Sequence, residues 1–185
     1  MANRIFNVLF LCTHNSARSV MAEALLNKLG EGKFNAFSAG SQPKSAPNPF
    51  ALEVVEKLGF RREQFKSKSW DDFAKPGAPH MDIIITVCDN AAGEACPVWL
   101  GHPATAHWGF PDPSDTDGGD NGDDNKTRAA FEQVAIAIKQ RIEFLVNLPI
   151  DKLEHLALAN ELKRIHSIAV TEGETVVANG NKLAV

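Results

Sequence analysis

Residues 12 to 19 read Cys12-Thr-His-Asn-Ser-Ala-Arg18-Ser19, directly after the apolar run Ile5 to Leu11 and before a segment of helical character that starts near Val20. The order is strand, loop, helix, and the spacing Cys-x5-Arg-Ser gathers a thiol, a row of backbone N–H groups and a guanidinium around one point. A helix N-terminus offers unpaired amide donors and a partial positive charge, so it holds a tetrahedral oxyanion and favours thiolate over thiol. Cysteines so placed ionise with pKa values of roughly 3.5 to 7.5 instead of about 8.5. The planar fork of Arg18 matches two anion oxygens. Nucleophilic attack by Cys12 on a bound oxyanion is the chemistry expected. A nucleoside triphosphate loop is excluded, because the segment has no glycine and no Gly-Lys-Ser/Thr ending.

The elements that must position these groups alternate between strand and helix. Ile5 to Leu11 has the continuous apolar character of a buried parallel strand. Ala22, Leu25, Leu26 and Leu29 recur at helical spacing up to Gly30, and Phe34 to Ser38 reads as a second strand ended by Gly40. A loop with Pro43, Pro47 and Pro49 leads to a helix carrying Ala51, Leu52, Val54, Val55 and Leu58. Asp82 to Cys88 is a third strand, and Ala104 to Trp108 a short fourth. Ala130 to Leu145 is amphipathic, and Leu153 to Ile165 suggests one more helix after Pro149. From Ser167 onward a small hairpin or a mobile tail is expected. The pattern predicts a single-domain α/β fold, a four-stranded parallel sheet flanked by helices, with its site at the carboxyl ends of the strands and an extra C-terminal helix and tail. The boundaries expected are 1–147 for the domain and 148–185 for the helical extension.

The 185-residue chain is 44% apolar and 23% charged, enough for one substantial core. A net charge of −4 without a Lys/Arg-rich run argues against nucleic acid as a partner. No stretch approaches the roughly 20 apolar residues of a membrane span, so no membrane association is expected. A cytoplasmic location is expected, where three cysteines point to catalysis or redox exchange rather than to a structural framework. The Asp- and Gly-rich stretch Asp112 to Lys126 lacks the glutamate and glycine positions of a calcium loop and reads as solvated loop.

Two more segments complete a pattern. His107-Trp-Gly-Phe-Pro-Asp112-Pro-Ser114 puts an Asp-Pro pair after a short strand, and Cys88 and Cys96 stand on either side of a small, polar Ala/Gly segment. With Cys-x5-Arg-Ser, these resemble the arsenate reductases built on the low-molecular-weight protein tyrosine phosphatase fold, over residues 5 to about 147. The resemblance implies Cys12 as the nucleophile on arsenic. Arg18 and the backbone amides of Thr13, His14, Asn15, Ser16, Ala17 and Arg18 would hold the oxyanion, and Ser19 would hydrogen-bond the Cys12 thiolate. Asp112 would protonate the departing oxygen. Cys88 would attack the arsenic adduct to leave a Cys12–Cys88 disulfide, and Cys96 would carry the oxidation outward as a Cys88–Cys96 disulfide. An external dithiol, thioredoxin or a glutaredoxin–glutathione system, would then reduce it; no bound cofactor is implied. Arsenate is the substrate expected, with phosphate or sulfate as analogues, and a monomer is expected.

Electron counting supports this order independently, since reducing arsenate takes two electrons and a thiol pair ending as a disulfide supplies them. The chain departs from the family at His14, where glycine is usual, and at Ala17, where a second cysteine often stands. Related enzymes bind a monovalent cation behind the anion loop; Asn15, Glu23 and Ser38 match part of that site, but Trp70 stands in place of an acidic ligand, and no metal is assigned. A phosphotyrosine phosphatase would use Cys12, Arg18 and Asp112 alike but gives no reason for Cys88 and Cys96. Its Asp loop usually presents aromatic residues, whereas Ser114-Asp-Thr-Asp follows here and the chain has no tyrosine. A redox or oxyanion sensor would need a recognition element, and Leu153, Leu156 and Leu162 of the last helix are expected to pack on the domain instead.

Overall fold

A computed structural model describes residues 4–94, 97–115 and 123–176, of which 169–176 by backbone alone. Strand β1 (Phe6–Cys12) is built from Val, Leu and Phe side chains that alternate between two faces. Val8, Phe10 and Cys12 enter the larger apolar core, while Leu9 and Leu11 enter a smaller one with Ala39, Trp70, Met81 and Ile84. Burial on both faces explains why the run is apolar throughout rather than alternating. Strands β2 (Phe34–Gly40), β3 (Ile83–Thr86) and β4 (Ala104–His107) complete a four-stranded sheet in the order β2-β1-β3-β4, every pair parallel. Register sets Cys12 beside Gly40 and Leu11 beside Thr86, so the strand carrying the nucleophile is interior and its carboxyl end is flanked on both sides.

Helices α1 (Arg18–Leu29), α2 (Pro49–Lys57), α5 (Asp124–Asn147) and α6 (His155–Val176) cover the larger core. Two short helices lie between them, α3 (Asp71–Ala74) and α4 (Asp89–Gly93). They were absent from the periodicity because four or five residues complete barely one turn. Helix α6 differs from the expectation of a hairpin or tail after Ser167, since it continues to Val176 through Gly173. Its Leu158, Leu162 and Ile165 are buried in the same core as the sheet, and the buried Trp108 donates its indole N–H to Leu162 O at 2.9 Å. Leu153 packs partly buried, whereas Leu156, expected to pack, is 72% exposed. No helix among the described residues is long and apolar enough to cross a membrane.

Candidate active site

The loop between β1 and α1 is held from outside by its carbonyls. Thr13 O accepts from Gln42 N (2.8 Å), His14 O from Lys44 N (3.0 Å), Asn15 O from the Ser67 hydroxyl (2.7 Å) and Ser16 O from Asn48 N (2.8 Å). No peptide bond is cis, and in a planar trans peptide the following N–H points opposite to the carbonyl. The amides of His14, Asn15, Ser16 and Ala17 are therefore turned inward together. Asn15 N reaches Cys12 Sγ at 3.1 Å, which places the sulfur at the focus of that cradle. The loop passes so close to β2 that a Cβ on Gly40 would lie 2.5 Å from Thr13 O and 2.9 Å from Asn15 N, so glycine is required there. Asn15 itself takes a left-handed backbone (φ 45°), a conformation that asparagine tolerates better than most residues.

Cys12 and Cys88 are free thiols, 3% and 2% exposed. The Ser19 hydroxyl is 2.9 Å from Cys12 Sγ. Burial pushes the Cys12 thiol above its ordinary value; the Ser19 hydroxyl opposes that, nearby Cys88 adds to it, and the amides of Ser19 and Asn15 pull it down. The low thiol pKa expected from the helix N-terminus is thus corrected, because removal from water costs the thiolate more than these donors return. Cys88 caps α4, its sulfur accepting from Ala91 N at 3.4 Å, and the Thr13 hydroxyl touches the same sulfur at 3.6 Å. Thr13 thus links the two thiols, following Cys12 in the chain and contacting Cys88 through its side chain. The two thiols stand at neighbouring strand ends, where Val87 N donates to Leu11 O at 2.8 Å.

Arg18 opens α1 and sits under the segment that carries Asp112. Its Nη2 contacts Asp112 Oδ2 at 2.5 Å and its Nη1 donates to Phe110 O at 3.0 Å. The Arg18 Nε is buried with no hydrogen-bond partner, an N–H donor available to an anion oxygen. Asp112 Oδ1 accepts from Ser114 N at 3.0 Å, so the Asp loop is braced at both oxygens. Thr13, Asn15, Ser16, Ala17, Arg18 and Ser19 follow Cys12 in one loop and helix start, Cys88 joins them through Thr13, and Asp112 joins them through Arg18. The His14 ring is exposed, and Cys96 lies outside the described residues, as does the segment 116–122.

Behind the loop lies a layer whose Asn15, Glu23 and Ser38 match part of a family cation site in the sequence, and whose Lys68 sequence reasoning missed. Asn15 Nδ2 donates to both Ser19 Oγ and Ser38 Oγ at 2.9 Å, and the Ser38 hydroxyl donates to Glu23 Oε2. Burial pushes the Glu23 carboxyl up, while the Lys68 charge and the Ser38 hydroxyl pull it down. Lys68 Nζ lies 3.3 Å from Glu23 Oε2, and Trp70 is packed in the smaller core. With an ammonium already on that carboxylate, the residues present do not fit a bound monovalent cation.

A parallel sheet whose interior strand ends in an inward-facing amide cradle around a buried thiol, with Arg18 and Asp112 beside it, is an arrangement able to hold an oxyanion against a sulfur. A sequence model of the low molecular weight phosphotyrosine protein phosphatase family matches residues 7–159, and the chain belongs to that family. Among its curated relatives, an arsenate reductase of Bacillus licheniformis is 34% identical over 137 residues, 74% of this chain and 91% of the relative. One of Halalkalibacterium halodurans is 32% identical over 136 residues, 74% of this chain and 91% of the relative. Among solved structures, arsenate reductase from Archaeoglobus fulgidus matches with a TM-score of 0.58 at 27% identity, over 76% of this chain and 99% of that one. A thioredoxin-dependent arsenate reductase of Corynebacterium glutamicum matches with a TM-score of 0.51 at 27% identity, over 75% of this chain and 61% of that one.

Proposed function

We propose that this enzyme reduces arsenate to arsenite through Cys12 and a thiol–disulfide relay. The observation that carries the reading is the pair of free, buried thiols at neighbouring strand ends, one in the amide cradle and both within reach of Thr13. A hydrolase needs only the first thiol.

In the reaction, the Cys12 thiolate attacks arsenic while Arg18 and the inward amides bind the arsenate oxygens. One oxygen leaves as water with a proton from Asp112, and Ser19 stabilises the thiolate before attack. The Cys88 thiolate then attacks Cys12 Sγ. An S–S bond forms, the S–As bond breaks with its electron pair going to arsenic, and arsenic(III) departs as arsenite. Two thiols have been oxidised and one arsenic reduced by two electrons. Cys96 next attacks Cys88 Sγ, freeing Cys12 and leaving a Cys88–Cys96 disulfide for an external dithiol. A terminal disulfide of that kind suits a dithiol reductant, and thioredoxin is named for the Corynebacterium glutamicum relative. The cytoplasm, where such reductants keep thiols reduced, is the compartment this chemistry requires.

The test is a thiol count with disulfide mapping on reduced protein before and after stoichiometric arsenate, with phosphate as control. Loss of two thiols as a Cys88–Cys96 disulfide, with arsenite released only from arsenate, is expected. Unchanged thiols together with hydrolysis of an activated phosphate ester would overturn the reductase in favour of a phosphatase.

A further inference from the structure

A continuous chain of polar groups runs from Cys12 away from the substrate side, and it ends on a cation. The Ser19 hydroxyl meets Cys12 Sγ at 2.9 Å; Asn15 Nδ2 donates to Ser19 Oγ and to Ser38 Oγ, each at 2.9 Å; the Ser38 hydroxyl donates to Glu23 Oε2; and Lys68 Nζ donates to that same oxygen at 3.3 Å. Asn15, Ser19 and Ser38 have no exposed surface and Glu23 is 9% exposed. Lys68 grips the chain a second time, its backbone N–H donating to Asn15 Oδ1 at 2.7 Å.

The direction of the bonds follows from that second grip. With Asn15 Oδ1 held by an N–H, the amide NH2 must face Ser19 and Ser38, which fixes its orientation. Ser19 Oγ accepts from Asn15, so its single hydrogen is left to donate to the sulfur. That is the polarity which stabilises a thiolate. At the far end, a buried carboxylate without a counter-charge would disfavour both the thiolate and a bound oxyanion through like-charge repulsion.

We propose that Lys68 is a positioning residue for Cys12: its ammonium balances Glu23 and keeps the layer behind the anion loop electrically neutral, while its backbone amide orients Asn15. This rests on the reading of Cys12 as the nucleophile. Among the described residues, Lys68 is the charged group facing Glu23, and Cys88 is the titratable group facing Cys12. The Lys68 backbone is fixed independently of its side chain, since Gly40 N donates to Lys68 O and Trp70 N to Gly40 O, both at 2.9 Å. A Lys68→Met substitution therefore removes the charge and leaves the Asn15 clamp.

The experiment follows alkylation of Cys12 by iodoacetamide against pH, read on the Cys12 peptide by mass spectrometry, in the full-length protein and in Lys68→Met, Lys68→Arg, Glu23→Gln and Lys68→Met/Glu23→Gln. Charge balance predicts shifts of opposite sign. Lys68→Met moves the midpoint up by about one unit, a roughly tenfold loss of thiolate at fixed pH. Glu23→Gln moves it down, the double variant returns close to the parent, and Lys68→Arg stays there. An unchanged midpoint in Lys68→Met, or shifts of the same sign in both single variants, overturns the assignment, since packing damage alone would push both the same way. The readout needs no arsenate, so a protein that alkylates as predicted but fails to reduce arsenate overturns the proposed reaction and not the role of Lys68.

Discussion

At Cys12 two effects oppose each other, and their balance decides when the sulfur is reactive. Burial raises the thiol pKa, and the hydroxyl of Ser19 is the largest influence holding it down. Wild-type alkylation is therefore expected to climb with pH through a midpoint above that of a free cysteine. Because the folded state favours the protonated thiol, its contribution to stability is present below the ordinary thiol range and is lost as pH rises toward the raised value. Ser19→Ala removes a hydrogen bond to a charged sulfur, of the kind worth about 1.5–3 kcal/mol, and should slow Cys12 alkylation at neutral pH by about ten- to a hundredfold. Equal rates in variant and parent, measured on the same peptide, would remove Ser19 from the site. Arg18 poses a different balance, since its fork is already engaged by Asp112 and Phe110 O. In the proposed reaction an arriving oxyanion would compete for that fork, and the same competition would free Asp112 for its role as an acid.

At the scale of elements, the loop keeps its shape because β2 ends on a residue without a side chain. Gly40→Ala would drive a methyl group into Thr13 O and Asn15 N. It should abolish the protection that phosphate gives Cys12 against alkylation while circular dichroism stays near the parent; retained protection would show that the cradle tolerates the displacement. At the opposite edge of the sheet, Leu162→Ala opens a cavity beneath the Trp108 indole and should lower stability by about 2–5 kcal/mol in denaturant titration. Much of this architecture was legible in the chain. β1, the start of β2 and β3 announced themselves as apolar runs, and Cys12, Arg18 and Ser19 by their spacing within one loop. Asn15, Glu23 and Ser38 were legible through the resemblance, as part of a cation site, but Lys68 was not, because its link to the loop runs through space: Lys68 N and Asn15 Oδ1 are 53 positions apart. The continuation of α6 was hidden by polar residues and Gly173, which carry no helical signal of their own.

Across the whole molecule, the proposed reaction hands an oxidation from the thiol that ends the interior strand to a thiol beyond the neighbouring strand. Cys12 ends an interior strand and Cys88 follows the next one, while Cys96 comes eight positions later in the sequence, outside the described residues. Cys96→Ser should release one equivalent of arsenite and then stop, with Cys12 and Cys88 joined; disulfide mapping after a single addition of arsenate checks this, and sustained turnover with thioredoxin would refute the relay. The parallel pairing of β1 with β3 carries a further consequence for a chain made from its N-terminus. Cys12 leaves the ribosome long before Cys88, Lys68 or Gly40 exist to enclose it. Until β3 docks, the thiol is an ordinary exposed one, open to stray oxidants and electrophiles. Parallel sheets close slowly because their contacts are distant in sequence. During synthesis, then, the enzyme depends on the reducing environment around it to keep intact the sulfur it later spends on its substrate.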